Sequence, residues 1–397
     1  MNRRSFLLAP GLAWPQASSL GAASDRRPRV AIIMNVYFPN SHADVFVGRL
    51  LEGYRLNGVS HRPRLKTLSF FCDQFPNNDM AREQAQEYGV KLFPDIPSAL
   101  RLGGPKLAVD GVAIIGEHGD YPRTPRGNVM YPRAKWFDAV AEVMEQDGRI
   151  IPIFHDKYFA YEWADALRIY NRIQALKIPY FGGSSLPLTW RRPPLEFARG
   201  VELEEVLAVS FCDIEEHGYH ALELMQAMAE RRKGGETGVE AVRYVEGPLV
   251  WELGQKGEWS ETLLELALSR KIHKGPPTVP ASQWPQACPK PQAILIRYRD
   301  GLKGTVLNLN GLALDYLFAA RERSGALHSS CFYIQLYLHN HWGFMVRHFE
   351  ELVLTRKTQI PPERVLLSTG LTLFGLESRL RGGGWLSTPE LAIRYIV

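Results

Sequence analysis

The sequence predicts an α/β protein in two parts. An N-terminal parallel-sheet domain is followed by an α+β domain with a largely antiparallel open sheet. Three observations carry this expectation. From Arg29 onward, apolar runs of strand length alternate with amphipathic stretches of helix length, the pattern of a parallel sheet with helices on both faces. At "LPLTWRRPPLEF" three prolines, Pro187, Pro193 and Pro194, interrupt the alternation and read as a connector. Beyond it, strand-like segments follow one another with few helices between them, which favours antiparallel neighbours.

The elements follow in order. "RVAIIMNVY" reads as a strand and "HADVFVGRLLEGY" as a helix. "RPRLKTLSFFCDQF" is a strand, "DMAREQAQEYGV" a helix ending near Gly89, and "KLFPDIPSALRLG" a short strand and a turn. "VDGVAIIGEHG" is the most apolar strand. Then come the helix "PRAKWFDAVAEVMEQDGR", the strand "IIPIFHDK", the helix "EWADALRIYNRIQALKI" and the strand "PYFGGSSLP". This is a Rossmann-like order, and such sheets bind ligands beyond the carboxyl ends of their strands. The domain spans residues 25–186. The second, 187–397, holds the strands "VELEEVLAVSF", "GVEAVRYVEGPLVW", "PQAILIRYRDG", "KGTVLNLNG", "LDYLFAARE" and "ALHSSCFYIQLY". Helices over Glu216–Arg231, Ser260–Arg270, His341–Leu354 and Pro362–Leu380 are expected to cover one face of its sheet, the last packing back on the first domain.

The 397 residues, 45% hydrophobic and 22% charged, suffice for two proper cores. A net charge of +5 is spread without a long basic run, so the composition does not indicate nucleic-acid binding. The four cysteines are far apart and form neither a disulfide framework nor a zinc knuckle. Residues 1–24 read as a twin-arginine export signal: Arg3-Arg4, then Phe6-Leu7-Leu8, then the small residues Gly21 and Ala23. That implies the twin-arginine export machinery as a partner and a periplasmic or exported protein. No later segment is long and apolar enough for stable membrane insertion.

Several segments carry candidate chemistry. The turn "MNVYFPNSHA" follows the first strand where a dinucleotide site usually has three glycines, and it has none. Asn35, Asn40, Ser41 and His42 could supply polar contacts there, or merely cap a helix. Asp73 ends the next strand, where a ribose-binding acid sits. Glu117, His118 and Asp120 bunch in "GEHGDYP" at another strand's carboxyl end. "FHDKYF" sets His155, Asp156 and Lys157 between an apolar strand and aromatics, where a lysine can act as acid or hydrogen-bond donor. "EEHGYHALE" brings His217 and His220 onto one helical face with Glu216 and Glu223 near, a base with a carboxylate to orient it. Trp190 and Arg191 at the domain junction suit a sugar or carboxylate. His339 and His341, two apart, open a helix, which is poor spacing for a metal.

These segments together resemble the Gfo/Idh/MocA family, the glucose–fructose oxidoreductase and inositol dehydrogenase type. The resemblance runs from about Arg29 to the C-terminus. It rests on Cys72-Asp73 followed by "AREQAQEYGVKLFPDIPSAL", on "VDGVAIIGEHGDYP" and "IFHDKYFAYEWADAL", on Glu216-x-Gly218-x-His220, and on the tail "TGLTLFGLESRLRGG". It implies an oxidoreductase acting on a sugar or polyol hydroxyl with NAD or NADP. Lys157 would hydrogen-bond that hydroxyl, His220 would be the base with Glu216 beside it, and a homo-oligomer would form. The chain departs from the pattern at the missing glycines and at the absent proline after Lys157. An alternative keeps the scaffold for non-redox acid–base or metal-assisted carbohydrate chemistry, as in a lyase, epimerase or hydrolase, with His118, His155 and His220 as a possible metal set. A third is a non-catalytic sugar-binding protein.

Overall fold

The computed structural model describes residues 27–397 apart from Lys274, so the export-signal reading of residues 1–24 lies outside the described residues. The first domain comprises β1 (Arg29–Met34), α1 (His42–Glu52), β2 (Tyr54–Leu56), β3 (Val59–His61), β4 (Lys66–Cys72), α2 (Ala81–Glu87), β5 (Lys91–Phe93), α3 (Ile96–Arg101), β6 (Gly111–Ile115), α4 (Arg133–Asp147), β7 (Ile153–Asp156), α5 (Trp163–Leu176) and β8 (Tyr180–Gly183). Its six-stranded sheet is parallel throughout and runs β5-β4-β1-β6-β7-β8. The strand order reverses between β1 and β6, and that switch point opens a crevice at the carboxyl ends. Alternation along β1 sends Val30, Ile32 and Met34 to the core under α1, and Ala31 and Ile33 to the core under α3, α4 and α5. The segment read as a turn at "DIPSALR" is α3: the Asp95 side chain caps it by accepting from Ser98 N, with a proline in the first turn.

The second domain comprises β9 (Trp190–Arg192), β10 (Leu203–Ser210), α6 (His217–Ala229), β11 (Val239–Glu246), α7 (Pro248–Gln255), α8 (Glu261–Leu268), α9 (Trp284–Ala287), β12 (Gln292–Tyr298), β13 (Lys303–Asn308), β14 (Tyr316–Glu322), β15 (Leu327–Tyr333), α10 (Trp342–Thr355), α11 (Pro362–Leu380) and β16 (Leu386–Ser387). Its eight-stranded sheet runs β16-β11-β12-β13-β10-β14-β15-β9, with β10–β13 parallel and the other neighbours antiparallel. The expectation of helices on one face is corrected. α6 and α11 cover one face through Leu222, Met225, Leu367 and Leu371, while α7, α8 and α9 cover the other through Trp251, Trp259, Leu263 and Trp284. β10 shows why: Val206 and Ala208 belong to the first core and Leu207 and Val209 to the second, so neither face is left for water. α10 packs on α1 through Trp342, Met345 and Phe349, and α11 stands between the sheets, reaching the first domain's core with Val365 and Leu366.

Candidate functional site

The site is assembled where the carboxyl ends of β1, β6 and β7 meet the N-terminus of α6. Lys157 is the residue after β7. It adopts a left-handed backbone conformation (φ 62°), its N–H donating to Gly183 O at 3.1 Å, and its side chain is buried. The ammonium donates to Glu117 Oε1 at 3.0 Å, and the other carboxylate oxygen accepts from Arg133 Nη2 at 2.6 Å. The Arg133 guanidinium in turn lies 4.2 Å from the centre of the Tyr158 ring. Burial works against an ionised Glu117, but Lys157 and Arg133, then His42 and His118, hold its carboxyl well below the usual range. His118, after β6, is also left-handed (φ 67°). Non-glycine residues in this region carry strain, and two of them sit side by side in this cluster.

Four histidines surround this ion group. His42, the first residue of α1, holds Asp156 Oδ2 at 2.6 Å through Nδ1. Its ring lies edge-on to His118 at 5.2 Å and to Trp342 at 4.7 Å, and 6.4 Å from His220. His220 Nδ1 lies 2.6 Å from Ser184 Oγ. Burial first, then Lys157, His217 and His42, push His220 well below its ordinary value, so it is neutral near pH 7. Burial likewise pushes His118 and His217 down to about 4. His118 Nε2 and His217 Nδ1 are buried with no protein partner. Around the Lys157–Glu117–Arg133 ion group and the His42–Asp156 pair thus stand three neutral imidazoles, His118, His217 and His220.

Several expected site residues lie elsewhere. His155 does not join the cluster. Alternation along β7 turns it to the opposite face from Asp156, against Phe159, where burial pushes it down to about 3 and both ring nitrogens are unpartnered. The alternative metal set His118, His155 and His220 is therefore not brought together, and among the described residues no three His, Cys, Asp or Glu side chains are arranged to hold a metal ion. Glu216 is not the orienter of His220: it is part-exposed and reaches toward Arg123 at 4.0 Å, while His220 Nδ1 is held by Ser184 Oγ. Trp190 and Arg191 are spent on the seam of edge strand β9. The indole donates to Asn57 Oδ1 at 2.7 Å, and Arg191 Nη1 to Glu196 at 2.8 Å. Ser41 caps α1, accepting from Asp44 N at 3.2 Å, and exposed Asn40 donates its backbone N–H to Asp44. Asn35 is buried beside the cluster, its amide donating to His118 O at 2.9 Å while Oδ1 has no partner. Asp73, the residue after β4, is exposed and accepts from Tyr121 OH at 2.6 Å, and the exposed Asp120 is held by Gln74 through its backbone.

The sequence reading passed over Glu215, Tyr158, Ser184 and the burial of Arg133. The Tyr158 hydroxyl donates to Glu215, whose carboxyl burial pushes up to about 7. The neighbours "FHDKY" and "IEEHG" were the available signal: an aromatic hydroxyl next to the lysine and a second acid next to Glu216. Glu223 accepts from Ser184 N at 3.3 Å and from the Ser368 hydroxyl. Gly183 (φ 106°) makes this approach possible, since a Cβ there would lie 2.4 Å from Glu223 Oε2. Burial pushes the Glu223 carboxyl up to about 7, from about 4.3 in an unfolded chain. A raised folded-state value stabilises the protein below pH 4 and loses that contribution as pH rises to 7. Glu223→Gln, whose amide oxygen can accept from Ser184 N while its NH2 donates to Ser368 Oγ, is thus expected to gain on the order of 1–3 kcal/mol over the parent at pH 8 relative to pH 5. Urea unfolding at the two pH values checks this, and an equal difference at both would contradict it.

No family model matches this chain, and no curated protein sequence matches it. Solved structures do. A probable dehydrogenase from Thermotoga maritima superposes with a TM-score of 0.57 at 13% identity, over 91% of this chain and 99% of its own. A scyllo-inositol dehydrogenase from Lactobacillus casei with bound NAD(H) and scyllo-inositol gives 0.57 at 10% identity, covering 91% and 99%. A putative myo-inositol dehydrogenase from Sinorhizobium meliloti gives 0.57 at 11%, with the same coverage. The chain therefore has the two-domain fold of these dehydrogenases along nearly their whole length.

Proposed function

We propose that this protein is an oxidoreductase acting on a polyol or sugar hydroxyl with a nicotinamide nucleotide, NAD or NADP. One observation carries the reading. Lys157, from the carboxyl end of the first sheet, and His220, from the second domain, meet in one buried cluster, the two positions to which the family resemblance assigns chemistry. What the neighbouring structures bind, NAD(H) and scyllo-inositol, supports the same class of ligand.

The residues present fit such a nucleotide at its two ends. The exposed Asp73 carboxylate at the end of β4 suits ribose hydroxyls, and the unpartnered Asn35 Oδ1 and the Lys157 ammonium offer an acceptor and donors at the reacting end. Its phosphates would have to pass outside the first turn of α1, where Ser41 and Asp44 already take the N–H groups of Asp44 and Asn40. A bound oxidised nicotinamide would accept the hydride of the substrate carbinol carbon. Lys157 retains N–H donors beyond the one given to Glu117 and would polarise the hydroxyl oxygen. A neutral imidazole would take the hydroxyl proton. The occupied α1 cap favours a second reading, in which the same groups run elimination or epimerisation without a nucleotide.

Export by the twin-arginine route remains part of the proposal and rests on Arg3-Arg4 and the residues after them. A homo-oligomer would need a surface other than the sheet face that α7, α8 and α9 cover. The test of function is a spectrophotometric screen of NAD and NADP reduction over a panel of inositols and hexoses. Polyol-dependent reduction is expected. Conversion of a polyol without any change in nucleotide would overturn the redox reading in favour of the second.

A further inference from the structure

We infer that His42, held by Asp156, is the proton-accepting base of this site, and that His220 presents an N–H to the substrate instead. The inference rests on reading the crevice as the reaction centre, and the argument is one of tautomers. A carboxylate can only accept, so the 2.6 Å contact to Asp156 Oδ2 places a hydrogen on His42 Nδ1 and, in the neutral ring, leaves the lone pair on Nε2. Asp156 is buried, so its orientation is fixed, and it would stabilise the imidazolium formed when Nε2 takes a proton.

His220 is held the opposite way. Ser184 Oγ accepts from Leu186 N at 3.0 Å, and among the described residues His220 Nδ1, at 2.6 Å, is the acceptor within reach of its hydroxyl hydrogen. With Nδ1 accepting, the neutral ring carries its hydrogen on Nε2, which suits donation to a substrate oxygen and not removal of its proton. The two rings lie 6.4 Å apart, close enough for one small hydroxylated molecule to meet both. In the step assigned here, the substrate O–H bond breaks and its electron pair stays on oxygen beside the Lys157 ammonium. The proton forms a new bond to His42 Nε2. The turn after β1, which has no glycine for a phosphate, thus delivers a base at the first residue of α1.

The test is histidine tautomer assignment by two-bond 15N–1H correlation on the labelled protein near pH 7.5, with His42→Gln and His220→Gln identifying the signals. His42 is expected as the Nδ1–H form and His220 as the Nε2–H form. Asp156→Ala, which removes the acceptor, should release His42 from the Nδ1–H form; an unchanged tautomer there would mean that Asp156 does not set it. The reverse assignment of the two rings overturns the inference. Where turnover is measurable, His42→Gln is expected to lower kcat about 10²–10⁴-fold with KM little changed; retained kcat there, with kcat lost in His220→Gln, overturns it as well. The tautomers are read without nucleotide or substrate, so they stand or fall separately from the redox reading.

Discussion

Replacing Glu117 with Ala is expected to destabilise the protein by about 3–5 kcal/mol, the cost of breaking a buried ion pair from one side. The substitution strands two buried cations. Lys157 loses the carboxylate that accepts from it at 3.0 Å, and Arg133, only 1% exposed, keeps the faces of Tyr131 and Tyr158 but no anion. Both groups are buried, so solvent is poorly placed to replace the lost contact. Urea unfolding of the single variant beside Glu117→Ala/Lys157→Met measures this. The double variant, which removes one stranded charge, should recover part of the loss. A single-variant change below about 1 kcal/mol would mean the cations are solvated and the cluster is more open than described.

Lys157→Met should leave the fold largely intact, because Glu117 retains Arg133 at 2.6 Å and methionine fills most of the lysine stem's volume. Turnover is another matter. The ammonium is the cation placed to hold charge on a substrate oxygen, and removing a positioned acid–base group costs on the order of 10²–10⁴-fold in rate. Polyol-dependent nucleotide reduction checks it, with circular dichroism as the control for folding. Parent-like turnover would remove Lys157 from the chemistry and leave it as a structural ion.

The first domain was legible because its strands and helices differ in hydrophobic period, and because strand ends mark the crevice. That is how Glu117, His118, Asp156 and Lys157 could be singled out. The same period of two, applied to β7, separates His155 from Asp156; treating "HDK" as one polar knot overlooked it. The second domain was harder. A strand apolar on both faces looks alike whether one or two layers of helix cover it, so the layer made by α7, α8 and α9 did not show in the periodicity. Which of the adjacent acids is buried, Glu215 and not Glu216, depends on the turn leading into α6, and helix boundaries are poorly fixed by local pattern. The partnerships of His42 with Asp156 and His220 with Ser184 span 114 and 36 residues, distances that no local spacing encodes.

The most direct measurement on the central claim is nucleotide binding itself. The protein, purified from cytoplasm, is denatured and the supernatant assayed for nicotinamide nucleotide, and the folded protein is titrated calorimetrically with NAD and with NADP. Bound nucleotide in the supernatant, or saturable binding of one of the two at about one per chain, is expected. No nucleotide released and no binding of either would contradict it.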